Sequence, residues 1–136
     1  MSETKPLIVV TRRIPEAGLR LLNREHYQLK VSPHDRVLTA RELESFVRGA
    51  SAILAQLTDK INRSILTAAG KELNVIANYA VGFDNIDLTA ARRQKVIITN
   101  TPGVLTEAVA EQTFALLLGV ARRLVEAHEF TRAGRF

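Results

Sequence analysis

The segment Asn78 to Asp87 has residue types that suit the binding of a small anion. A glycine stands between two apolar residues, in the order Val81-Gly82-Phe83, and follows an apolar run. Gly82 permits a positive φ and a close approach of a ligand to the backbone, and successive N–H groups beside it can point at a carboxylate. The other interpretation is an ordinary turn between a strand and a helix, with Asp84 and Asp87 as helix caps.

Two further segments have a composition that suits a binding edge. In Ala55 to Asp59, Leu57 can form one wall of a small-molecule pocket, although a lone leucine in such a place is more often a loop anchor. In Thr99 to Glu107, either Thr106 or Glu107 can satisfy the first turn of a following helix. The second segment suits a binding edge because it follows a strand, but its other interpretation is a helix cap and nothing more.

Several kinds of chemistry lack the residues they need. The chain has no cysteine and three histidines, and none of the histidines stands with an acid at a catalytic or metal-ligand spacing. We therefore predict surface or structural roles for His26, His34 and His128, no catalytic residue and no metal site. Neither a nucleophile-elbow motif, a Walker motif nor the dinucleotide motif G-x-G-x-x-G occurs.

Composition and charge favour a globular protein that acts on small molecules. The 136 residues are 46% hydrophobic with a net charge of +5, and the basic residues are scattered without interleaved aromatics, which disfavours nucleic-acid binding. The first apolar run is too short for a secretory signal, and the longest, Phe114 to Ala121, is too short to span a membrane. We expect a cytoplasmic protein that contacts neither nucleic acid nor membrane.

The elements that position these segments alternate between short apolar strands and helices. This alternation is typical of a parallel sheet covered on both faces, and it predicts an α/β fold with a flavodoxin-like, doubly wound sheet of five strands in the order 2-1-3-4-5. The three candidate segments follow strands three, four and five, so they share the sheet edge where ligands gather. The predicted strands are Pro6–Thr11, Tyr27–Val31, Ala52–Leu57, Asn74–Ala80 and Val96–Thr99.

Capping residues mark the helices between these strands. A capping box at Thr39 to Glu42 opens one helix, and Asn62 and Asp87 can cap two others. The remainder, from Leu105 to Ala133, predicts one long C-terminal helix of about 40 Å at 1.5 Å per residue. It is apolar over much of its circumference, so we expect it to be buried and, in this chain alone, to self-associate.

The chain closely resembles the D-isomer-specific 2-hydroxyacid dehydrogenases, and most of all their glyoxylate and hydroxypyruvate reductase branch. The resemblance is strongest in the stretch NYAVGFDNID, which is followed by ARRQKVIITNTPGVLTEAVAEQTFALLLGVARR. The resemblance implies that the backbone N–H groups of Val81 and Gly82 hold the substrate carboxylate. It further implies that Leu57 lines the pocket and that Thr106 lies near the nicotinamide cofactor.

The resemblance also implies a two-lobed enzyme. Residues 1–104 would form the flavodoxin-like substrate-binding domain and residues 105–136 an interdomain crossing helix, while the Rossmann NAD(P) domain would be absent from this chain. The family's catalytic arginine, glutamate and histidine lie downstream of the crossing helix, and no residue here matches them. We therefore expect a truncated chain that is inactive by itself.

The expected function is that of the substrate-binding lobe of an NAD(P)-dependent dehydrogenase, an oxidoreductase that reduces glyoxylate, hydroxypyruvate or a similar small 2-oxo acid. The choice between NAD and NADP stays open, because the residue that reads the ribose is outside this chain. The family suggests a homodimer. The alternative is a free-standing, non-catalytic α/β binding or interaction module.

Overall fold

Five short strands form one all-parallel sheet in the order β2-β1-β3-β4-β5, which confirms the predicted topology. The computed structural model describes residues 5–22 and 25–135, so the charged start of the chain lies outside the described residues. Each strand is within one or two residues of its predicted bounds. The strands are β1 (Leu7–Val10), β2 (Gln28–Val31), β3 (Ala52–Gln56), β4 (Val75–Tyr79) and β5 (Ile97–Thr99).

The chain divides into two compact units, Met1–Pro102 and Gly103–Phe136. The first unit contains the sheet and four short helices. Its core is built from the apolar strand residues together with the inner faces of the helices, because both faces of a parallel sheet must be covered. The largest of the fully buried apolar side chains are Ile53, Ile61, Ile65, Leu66 and Ile76.

The helices of the first unit begin at the capping residues that the sequence indicates. These helices are α1 (Glu16–Leu19), α2 (Ala40–Phe46), α3 (Arg63–Ala69) and α4 (Leu88–Arg93). Asn62 accepts bonds from two N–H groups at the start of α3, and Asp87 accepts one at the start of α4. Each cap satisfies N–H groups that have no partner inside the helix.

The capping box of α2 also holds an ion pair. The hydroxyl of Thr39 accepts a bond from the Glu42 N–H, and the Glu42 carboxylate accepts one from the Thr39 N–H. Both nitrogens of the Arg36 guanidinium tip donate to the same carboxylate, at 2.9 and 2.6 Å. The bonds from Arg36, followed by those from Thr39, hold the pKa of Glu42 well below its usual range.

The second unit contradicts the prediction of one uninterrupted helix from Leu105 to Ala133. It contains α5 (Thr106–Ala121) and α6 (Leu124–Arg132), separated at Arg123, which has a left-handed backbone with φ 50° and ψ 43°. Neither glycine, proline nor asparagine stands at this break, so the sequence carries no local signal for it. The Arg123 side chain pairs with Glu126 in the first turn of α6. Within the described ranges, no helix has both the length and the apolar character required to cross a bilayer.

Candidate carboxylate-binding site

The turn that follows β4 has three consecutive peptide carbonyls, each held by a different donor. The carbonyl of Ala80 accepts the Thr101 N–H at 2.9 Å. The carbonyl of Val81 accepts the Asn100 side-chain amide at 2.7 Å, and the carbonyl of Gly82 accepts that of Asn78 at 2.9 Å. The plane of each peptide group is thus fixed from its carbonyl side.

The opposite sides of the same peptide groups carry the N–H groups of Val81, Gly82 and Phe83. The peptide bonds of this turn are trans, so each N–H points away from the carbonyl of its own peptide group. Among the described residues, none of these three N–H groups has a hydrogen-bond acceptor. Val81, Gly82 and Phe83 are all exposed residues, and successive N–H groups without an acceptor in a turn are a feature of backbones that bind anions.

Gly82 does not have the positive φ that the sequence suggested, so that expectation is wrong. Positive φ among the glycines occurs at other positions of the described chain. A Cβ built on Gly82 would meet only Asp84 Oδ2, at 3.5 Å, an ordinary van der Waals contact. Neither backbone conformation nor packing within this unit therefore demands glycine here. A side chain at position 82 would instead occupy the open surface beside the free amides.

A pair of side-chain amides, one of them buried, ties this turn to the loop after β3. Asn78, with 2% of its surface exposed, and Asn85 each donate Nδ2 to the other's Oδ1, at 3.1 Å. Asn85 also donates to the carbonyls of Gln56 and Asp59, at 3.2 and 3.1 Å. The backbone of Ile61 bridges to that of Ile86, the residue after Asn85. The two loops are consequently held in one fixed arrangement.

A buried carboxylate shapes the loop that contains Leu57. Asp59, which is 3% exposed, accepts the Thr11 hydroxyl at 2.5 Å and the Gln56 N–H at 2.8 Å. These bonds close a tight turn through Leu57 and Thr58. The Leu57 side chain is left 63% exposed, as a residue that forms a pocket wall would be.

Arg12 adds a positive charge to this edge of the sheet. It follows β1, and its Nη2 donates to the Thr58 hydroxyl at 3.1 Å, so its guanidinium reaches the loop after β3. Its Nε is buried and has no hydrogen-bond partner among the described residues. A cation at this edge favours the approach of small acids.

Thr106 lies in the second unit, whereas the turn after β4 and Leu57 lie in the first. It is the first residue of α5, whose N-cap is Leu105, without a side-chain capping bond. The expectation of a side-chain cap at Thr106 or Glu107 is therefore wrong, although Glu107 does lie in the first turn, where a negative charge is favourable. The Thr106 hydroxyl is exposed and forms no hydrogen bond to any part of the chain that the structure describes.

Sequence reasoning missed the residues that hold the site together. Asn78 lies within the fourth predicted strand, and Asn85, Asn100 and Asp59 lie within the candidate segments, but the sequence predicts no contact for any of them. The bonds from Asn85 and Asn100 to the neighbouring loops span 19 to 29 residues. The one available signal was the run of asparagines at the ends of consecutive strands. The three histidines are exposed, and within the described ranges no three His, Cys, Asp or Glu residues are placed to hold a metal ion.

The fold is that of a flavodoxin-like α/β domain, a class of open parallel sheet in which ligands bind beyond the carboxyl ends of the strands. Residues 8–131 match the family of the D-isomer specific 2-hydroxyacid dehydrogenases, in its catalytic domain. The chain belongs to this family.

Individual relatives agree with this assignment. The glyoxylate reductase of Thermococcus kodakarensis is 42% identical over 132 residues, which are 97% of this chain and 39% of that protein. This chain thus spans about 39% of the length of the curated relatives that it matches. A crystal structure of a protein from Thermus thermophilus superposes with a TM-score of 0.83 and 41% identity, over 96% of this chain and 41% of that one.

A third relative was solved with ligands. The NADPH-dependent glyoxylate/hydroxypyruvate reductase of Sinorhizobium meliloti, in complex with NADP and malonate, superposes with a TM-score of 0.71 and 31% identity. The superposition covers 97% of this chain and 39% of that one.

Proposed function

We propose that this chain is the substrate-binding lobe of an NAD(P)-dependent 2-hydroxyacid dehydrogenase that reduces glyoxylate, hydroxypyruvate or a similar small 2-oxo acid. The observation that carries the proposal is the row of three free N–H groups at Val81, Gly82 and Phe83. The malonate in the Sinorhizobium meliloti relative is a small carboxylic acid and supports the same ligand class. The alternative of a non-catalytic module gains no support from the family.

In this proposal, the N–H groups of Val81 and Gly82 hold the substrate carboxylate. Hydrogen bonds to an ionised acceptor are about twice as strong as neutral ones, and rigid donors lose little entropy when the ligand binds. Leu57 forms one wall of the pocket, and the bonds from Asn85 to Gln56 and Asp59 fix the distance of that wall from the amides. The domain then orients the 2-oxo acid and leaves its carbonyl carbon presented for reduction.

The proposed cofactor is NAD or NADP, which supplies the hydride when bound. This chain contributes the exposed Thr106 hydroxyl to its surroundings, and that hydroxyl fits such a contact because it lacks a partner in the described chain. We assign residues 1–104 to the substrate-binding domain and residues 105–136 to the connection toward the cofactor domain. The dinucleotide loop, together with the catalytic arginine, glutamate and histidine, would belong to a part of the enzyme beyond this chain.

We also propose that the enzyme is a homodimer. Large apolar side chains of α5 and α6 are more than half exposed within this chain, and exposed apolar surface of this extent is typical of interfaces. Burying them against a second subunit or a further domain would remove them from water. They include Phe114, Leu116, Leu117, Val120, Leu124 and Val125.

The experiment that tests the proposed site is a titration of the ¹⁵N-labelled chain with oxalate, followed by amide NMR. We expect saturable shifts concentrated at Val81, Gly82 and Phe83, with chloride at equal ionic strength as the control. Shifts spread over the scattered basic residues, without saturation, would contradict the proposed site. A second arm measures glyoxylate reduction by this chain with NADH and NADPH, where we expect no turnover; turnover would refute the assignment of the catalytic residues to another part of the enzyme.

A further inference from the structure

The three peptide groups of the turn differ in how their planes are fixed. The Ala80 carbonyl is held by a backbone N–H, that of Thr101, and the Gly82 carbonyl is held by the buried Asn78. Only the Val81 carbonyl is held by an exposed side chain, that of Asn100. One solvent-exposed residue therefore controls the plane of the peptide group that contains the Gly82 N–H.

The Asn100 amide has one hydrogen bond among the described residues, the 2.7 Å bond to the Val81 carbonyl oxygen. Because the peptide bond is planar and trans, a donor on the carbonyl oxygen sets the direction of the N–H on the other side. Without that donor, the Val81–Gly82 peptide group can rotate about the flanking single bonds. The Gly82 N–H would then spend less time in its present direction.

We propose that Asn100 is a positioning residue: by bonding the Val81 carbonyl, it aims the Gly82 N–H at the substrate carboxylate. This inference rests on the proposed function, which assigns the carboxylate to these amides. It adds a residue on the connection after β5 to a site whose amides follow β4. Asn100 itself does not touch the substrate; it acts through the peptide group between Val81 and Gly82.

The chain offers a matched control for this role. Asn74 is also exposed, and its side-chain amide likewise donates to a single backbone carbonyl, that of Glu72, at 2.8 Å. It precedes β4, whereas the turn follows β4, so it lies at the opposite end of the same strand. Asn74→Ala and Asn74→Asp therefore repeat the chemical changes made at Asn100 without reaching the turn.

The test is oxalate titration of the wild-type chain and of the Asn100→Ala and Asn74→Ala variants, read by the amide shifts of the turn. For Asn100→Ala we expect about tenfold weaker binding, the scale of one lost bond to a charged group, with the oxalate-induced shift lost at Gly82 and retained at Val81. Val81 keeps its shift because Thr101 still holds the Ala80 carbonyl. Asn74→Ala is expected to bind as the wild type does.

The outcomes separate this inference from the proposed function. If the wild type shows no saturable binding at the turn, both fail. If the wild type binds and Asn100→Ala binds equally well, with the Gly82 shift intact, only the role of Asn100 is overturned. Asn100→Asp, which keeps the shape but has no N–H to donate, provides a second variant, and Asn74→Asp controls for the change in net charge. Both Asn100 variants are expected to retain the wild-type spectrum outside the turn.

Discussion

Asn78 and Asn85 form a reciprocal pair, in which each side-chain amide donates to the other's oxygen at 3.1 Å. The pair joins the end of β4 to the start of the segment that leads into α4. Because Asn85 also bonds the carbonyls of Gln56, at the end of β3, and of Asp59, it links the turn with the free amides to the loop with Leu57. The two loops of the proposed pocket are thus joined by side-chain amides that bond each other and backbone carbonyls.

Gly82→Ala should separate binding from stability. Since Gly82 does not have a positive φ and an added Cβ meets nothing nearer than 3.5 Å, we expect the free energy of unfolding to change by less than about 0.5 kcal/mol. The new methyl group faces the open side of the turn, and oxalate binding should weaken about tenfold. Chemical denaturation and NMR titration measure the two effects.

Gly70→Ala is the matched control for that variant. Gly70 ends α3 with φ 97° and ψ −172°, a conformation available essentially to glycine alone. We expect a loss of about 1–3 kcal/mol in stability and unchanged oxalate binding below the unfolding transition. Strong destabilisation by Gly82→Ala together with normal binding would contradict our account of the turn.

Leu57→Ala should alter the size preference of the pocket. The side chain is 63% exposed, so its truncation is expected to leave stability within about 0.5 kcal/mol. A wall of the pocket would become shallower, and the ratio of the affinity for phenylglyoxylate to that for oxalate should rise about tenfold. Leu21→Ala, at a leucine that is 84% exposed, is the control. An equal ratio in both variants would remove Leu57 from the site.

Asp59 and Thr11 should be energetically coupled. Asp59→Ala leaves the Gln56 N–H without its acceptor and removes one of the two acceptors of the Thr11 hydroxyl. We expect a loss of about 1–3 kcal/mol, and a smaller one for Thr11→Val. In a double-mutant cycle measured by denaturation, the coupling energy should be at least about 0.5 kcal/mol. Strict additivity would show that the 2.5 Å bond contributes nothing to stability.

Glu42 should account for part of the stability loss in acid. Its pKa in the folded state is lowered, chiefly by Arg36 and then by Thr39, so its contribution is complete above the pKa of the unfolded chain, about 4.3, and is lost as the pH falls further. Glu42→Gln is therefore expected to lower the melting temperature at pH 7 and to flatten its decline between pH 5 and about pH 3. Glu44→Gln is the control, because the Glu44 carboxylate has no ion pair in the described chain. Thermal melts of this variant at several pH values are expected to show no such flattening.

The strand order and most helix starts were predictable because their signals are local. A hydroxyl and a carboxylate three residues apart at Thr39 and Glu42, or an asparagine before an apolar run at Asn62, act within a single turn. Alternation of strands and helices limits the topology to a few choices. The structure confirms the predicted strand order and these helix starts.

The interior of the site was not predictable in the same way. The bonds from Asn85 to the backbone after β3 span 26 and 29 residues, and the bond from Asn100 to Val81 spans 19. No local pattern identifies such partners before the strand order is known. The break at Arg123 was not predictable for another reason. Helix ends are recognised in a sequence by residues that favour a left-handed backbone, chiefly glycine and asparagine, and here an arginine has that conformation between two helices.

The order β2-β1-β3-β4-β5 has a consequence for the protein as it leaves the ribosome. β1 is translated first, yet one of its two neighbours, β3, begins only at Ala52. The turn after β4 is completed later still, because the donors on the Ala80 and Val81 carbonyls are Thr101 and Asn100. A nascent chain that stops short of these two residues therefore contains Val81 and Gly82 but lacks the donors that fix the planes of the peptide groups before them.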